Sequence, residues 1–137
     1  MDGSSPEGGS PLEVRTDIPN GPEAPAQARR VLDRFQASVG EDVLVDARMI
    51  LSEIVTNSYK HSGNPPGEPI QLTITDAEDR LRIEVQDGSI FDPTPETTEE
   101  LRSRKWGLLM VDRIADSWGR ISEGGIWAEI GLGKTED

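Results

Sequence analysis

The chain has 137 residues, enough for one domain, with 26 acidic against 14 basic residues and a net charge of −12. That balance disfavours nucleic acid and anionic membranes as partners, because both would repel the protein before contact. Cysteine is absent and there is one histidine, which excludes a disulfide framework, a thiolate metal site and a polyhistidine zinc site.

The absence of cysteine fits a reducing, cytoplasmic location. No signal-peptide pattern opens the chain, and no apolar run approaches the roughly 18 residues of a membrane span. Residues 1–11 (MDGSSPEGGSP) are glycine, serine, proline and acid, so they read as a disordered N-terminal arm. Leu12, Val14 and Ile18 then mark a short strand that Pro19-Asn20-Gly21-Pro22 ends. From about Ala24 to Val39 the apolar residues Ala28, Val31, Leu32, Phe35 and Val39 share a helical face, and Gly40 is the stop. A second helix runs from about Asp42, a plausible N-cap, to His61 or Ser62. Gly63-Asn64-Pro65-Pro66-Gly67 closes it.

Two strands follow, Pro69 to Thr75 and Leu81 to Val85, joined by a polar hairpin loop. Ser89 to about Lys105 carries two prolines and the charged run TTEELRSRK, the composition of a lid or mobile connector. A third helix spans Gly107 to about Ser117. Two last strands, near Trp118 to Ser122 and Ile126 to Leu132, turn at Glu123-Gly124-Gly125. The order β-α-α-β-β-lid-α-β-β predicts an α+β two-layer sandwich, with three helices on one face of a mixed, mostly antiparallel sheet.

The second helix holds the main candidate site. At roughly 100° per residue, Leu44, Ala47, Leu51, Ile54 and Val55 form an apolar arc, with Ser58 among them as a small packing residue. Glu53, Asn57 and His61, spaced one turn apart, descend along its margin, drifting about 40° per step. The margin of a helix packed on a sheet is where a cleft opens. There an amide such as Asn57 can ligate Mg²⁺ without cancelling charge that phosphates must share. Glu53 can accept a proton from a hydroxyl or water that attacks a γ-phosphate. His61 can contact a phosphate or interact with the helix C-terminus. Glu53 and Asn57 also have an ordinary reading as solvated helix residues, and His61 as a partner of the helix dipole. Asp87, ending a strand before Gly88-Ser89, can accept a hydrogen bond from an exocyclic amine such as that of adenine, or simply cap the turn. Gly107, at the start of the third helix, lets phosphate oxygens approach backbone N–H groups.

Four blocks in this order, ILSEIVTNSYKHSG, LRIEVQDGS, WGLLMVDRIADSWG and GGIWAEIGL, resemble the ATP-binding domain shared by gyrase, histidine kinases and MutL. The nearest look is to the anti-sigma-factor serine kinases of Gram-positive bacteria, especially the short actinobacterial type. The resemblance covers about residues 12–133, with residues 89–105 as the lid and 134–137 as a tail. It implies a cytoplasmic enzyme using ATP and Mg²⁺, with Asn57 as the metal ligand and Glu53 as the general base. Asp87 would hold the adenine amine. His61, Ser89, Lys105, Gly107 and Leu108 complete the nucleotide-binding set. Such proteins, usually dimeric, sequester a sigma factor and phosphorylate a serine or threonine of an antagonist protein that releases it. The acidic balance would suit the basic helices of a sigma factor. Two departures stand on the phosphate side. Lys105 replaces the first glycine of a Gly-x-Gly pattern, and Ile126 stands where Gly-Gly-Thr is usual. They leave open an alternative, a degenerate ATP-binding fold acting as a non-catalytic protein-binding regulator.

Overall fold

A computed structural model describes residues 12–61, 68–87 and 108–132. In chain order they form β1 (Leu12–Pro19), α1 (Ala24–Leu32), a 3₁₀ turn (Asp33–Phe35), α2 (Glu41–His61), β2 (Pro69–Asp76) and β3 (Arg80–Gln86). After the lid segment, residues 108–114 are helical and are called α3. β4 (Ser117–Arg120) and β5 (Gly125–Gly131) close the sheet. The predicted arm, the lid and the tail all lie outside the described residues.

The five strands are ordered β1-β2-β3-β5-β4. Each pairing is antiparallel, so the described sheet contains no parallel pair. Register explains the two faces. Val14, Ile74, Ile83 and Ala128 are successive cross-strand partners, and all four are buried. Leu72, Val85 and Ile126 form a second buried row, and Leu81 with Ile130 a third. With a side-chain period of two along each strand, these rows occupy one face, and the helices cover it. α2 lies against β3 and β5, while α1 lies against β1 and α2. The α+β two-layer fold expected from the sequence is therefore present.

The opposite face is laced with charge. Arg82 sits between Glu84 and Glu129, each at 2.7 Å, and Arg80 reaches Glu129 at 3.0 Å. The Arg82 guanidinium also lies 4.6 Å from the centre of the Trp127 ring. That ring covers Gly119 so closely that a Cβ there would stand 3.0 Å from the indole nitrogen. No described helix covers this face, and side chains that satisfy one another suit it to water.

Several boundaries move from their sequence expectation. The helix predicted from Ala24 to Val39 stops at Leu32, and the chain then tightens into the 3₁₀ turn. Leu32, Phe35 and Val39 all stay buried through the change, so the apolar period carries no mark of it. α2 starts at Glu41, which makes Asp42 a first-turn residue rather than the cap. An acid there still favours the helix's positive end. α3 stops short of Ser117. Asp116 instead donates its backbone N–H to the Glu129 carbonyl at 2.8 Å and accepts from Gly131 N–H at 2.5 Å. Asp116 thereby starts the pairing that makes Ser117 the first residue of β4. β4 ends at Arg120, and a turn closed by Gly124 N–H to the Ile121 carbonyl follows. Among the described residues, no helix is long and apolar enough to cross a membrane.

Candidate functional site

α2 presents two polarities to the molecule. Leu44, Ala47, Ile50, Leu51, Ile54 and Val55 are fully or almost fully buried, and they hold the helix to the sheet and to α1. Glu53 and Asn57 are half-buried, as the margin of that arc requires. Both face neither the interior nor bulk water. His61 is the last residue of the helix, and its side chain is not described. Ile50 is fully buried as well, so the buried arc is wider than Leu44, Ala47, Leu51, Ile54 and Val55 alone. Met49, between them on the helix, is exposed.

Asp87 follows the last residue of β3 and is buried. Its backbone N–H donates to the Gly124 carbonyl at 3.1 Å, tying the strand end to the turn before β5. That turn depends on glycine. Gly125 has φ of +139°, and a Cβ on it would lie 2.1 Å from the Val85 carbonyl oxygen. On its other side Asp87 meets α2, where the buried Ser58 hydroxyl donates to Asp87 Oδ2. A hydroxyl on an otherwise apolar arc needs a partner, and this one spans from helix to strand end.

Ser58 is the residue that sequence reasoning undervalued, having taken it for packing alone. Its signal was present, since it is the polar member of the buried arc and follows Asn57 directly. Through it, the strand end with the candidate amine acceptor is joined to the helix bearing Glu53 and Asn57. A second link fixes α2 from α1, where Arg29 Nη1 donates to Ser52 Oγ at 2.9 Å, next to Glu53.

Leu108 begins the described part of α3, half-buried against the core. Ser89, Lys105 and Gly107 fall outside the described residues. On β5, Ile126 is buried with its side chain in the helix-covered row that also holds Val85. The position where the resembled family carries a hydroxyl is here an aliphatic core residue.

No curated protein matches the sequence. A family model does, over residues 18–129, which takes in every described element except the start of β1 and the end of β5. The chain belongs to the histidine kinase-like ATPase domain family, whose fold binds ATP.

Proposed function

We propose that the protein binds ATP with Mg²⁺ and transfers the γ-phosphoryl group to a serine or threonine of an antagonist protein, while sequestering a sigma factor. The observation that carries this reading is the Ser58–Asp87 hydrogen bond, which joins an amine acceptor to the helix bearing a carboxylate and an amide. In the proposed reaction the acceptor hydroxyl oxygen attacks the γ-phosphorus. The bond from that phosphorus to the oxygen bridging the β-phosphate breaks, ADP leaves, and Glu53 takes the hydroxyl proton. Asp87 accepts the adenine amine.

Asn57 is the proposed magnesium ligand. An amide oxygen with a carboxylate one turn earlier fits that ion, which keeps most of its shell as water and phosphate oxygen. Bound there, magnesium would neutralise phosphate charge. His61, Ser89, Lys105, Gly107 and Leu108 are the proposed remaining contacts of the nucleotide. Sigma factor and antagonist place the protein in the cytoplasm, acting as a homodimer and touching no nucleic acid itself.

The reading is tested with γ-labelled ATP, Mg²⁺ and the antagonist protein. Wild type should label the antagonist, and Asn57→Ala should abolish labelling while still binding its partner. Labelling that survives Asn57→Ala would contradict the assignment. One observation favours a second reading, a binding module without turnover: the buried Ile126 offers no hydroxyl on the phosphate side. On that reading wild type binds its partner and labels nothing.

A further inference from the structure

Serine inside a helix ordinarily returns its hydroxyl to the carbonyl one turn back. Ser58 instead directs it across to Asp87 Oδ2, a residue 29 positions later in the chain. Both groups are almost out of solvent, Ser58 at 6% and Asp87 at 9% exposure. Water therefore offers no ready substitute for either partner. Asp87 is held at its backbone as well, through its N–H to the Gly124 carbonyl at 3.1 Å. A free aspartate at a strand end swings about its side-chain torsions. This one is held both from α2 and from the turn before β5.

We infer that Ser58 is a positioning residue for base selection: by donating to Oδ2 it fixes the plane of the Asp87 carboxylate as a hydrogen-bond acceptor, so that the site takes a 6-amino purine and rejects a 6-oxo purine. The inference rests on the reading of Asp87 as the amine acceptor. The chemistry is a matter of donors and acceptors. A 6-amino group donates to the oriented carboxylate, whereas a 6-oxo group sets one acceptor against another. Leaving a buried polar group unmatched is what makes such discrimination large. Without the Ser58 donor the carboxylate would still be present, but less firmly oriented, and its bond to the amine would weaken. The 6-oxo purine, which gains nothing from that bond, would be little affected. The gap between the two ligands is thus the quantity that reports Ser58, apart from any loss of stability.

The test measures binding of ADP and of inosine diphosphate, each with Mg²⁺, to the full chain by calorimetry, together with thermal unfolding of each variant. Wild type should prefer ADP. Ser58→Ala should lose about tenfold in ADP affinity with inosine diphosphate nearly unchanged, so that the preference narrows. Ser58→Thr, which keeps the hydroxyl, should retain the preference. If Ser58→Ala does not fold, Ser58→Cys, of similar size and a weak donor, should show the same narrowing. Undiminished preference in Ser58→Ala or Ser58→Cys would overturn the inference. So would an equal loss for both nucleotides that tracks a fall in melting temperature, since that marks a structural tether only. Wild type that binds neither nucleotide, or both alike, would instead overturn the reading of Asp87, and this inference with it.

Discussion

At the scale of single residues, the geometry around Asp87 depends on the backbone of the turn before β5. Gly125 is the sharpest case. Its positive φ and the Val85 carbonyl oxygen, 2.1 Å from where a Cβ would sit, leave no room for any side chain. The turn it forms carries Gly124, whose carbonyl holds the backbone of Asp87. Gly125→Ala should therefore destabilise the fold by at least about 2 kcal/mol in urea unfolding, and it should shift Asp87 as well. A neutral result would mean that the turn relaxes without strain. Sequence reading singled out Glu53, Asn57 and Asp87 as candidates because each is a polar residue in an apolar context. It missed the Ser58–Asp87 hydrogen bond because spacing along one helix cannot show a partner 29 positions away, just past the end of a strand.

At the scale of elements, the helix-covered face and the bare face of the sheet follow from one alternation, but they are stabilised differently. The covered face is aliphatic burial. The bare face depends on the Arg80–Glu129–Arg82–Glu84 chain and the stacking of Arg82 on Trp127. Burial alone would raise the Glu129 carboxyl, but hydrogen bonds from Arg82 and Arg80 outweigh it and hold it below its ordinary value of 4.5. A carboxyl depressed in the folded state contributes stability that is complete above its unfolded value and lost as pH falls through the folded one. Glu129→Gln should accordingly cost about 1–2 kcal/mol at neutral pH, and the difference from wild type should shrink as the pH drops below about 4.5. Unfolding midpoints taken across that range check the sign, and a difference that grows with acidity would contradict it. Element order and strand faces were legible because alternation and helical period differ so clearly. The break after Leu32 was not, because Leu32, Phe35 and Val39 remain buried across the change from α-helix to 3₁₀ turn. Nor was the early end of α3, which is set by Asp116 bonding to Glu129 and Gly131 on a strand not yet formed when the helix pattern is read.

At the scale of the whole molecule, the histidine kinase-like fold gives the arrangement its purpose. One face of the sheet is given to helices, and α2 is the element that meets both the core and the strand end. The Ser58–Asp87 bond is the point where those two roles join. A nucleotide spanning from Asp87 to Asn57 would lie along that junction, with its base near the strand end and its phosphates toward the helix margin. The surplus of 26 acidic over 14 basic residues adds no affinity for such a ligand, so the binding energy must come from local contacts and from the metal. The measurement that tests this most directly is calorimetric titration of ADP with and without Mg²⁺ into wild type, Asp87→Ala and Asn57→Ala. Saturable binding to wild type, lost in Asp87→Ala and made independent of Mg²⁺ in Asn57→Ala, is the predicted result. Wild type that takes up no nucleotide at millimolar concentration, or an Asp87→Ala variant that binds ADP as wild type does, would contradict it.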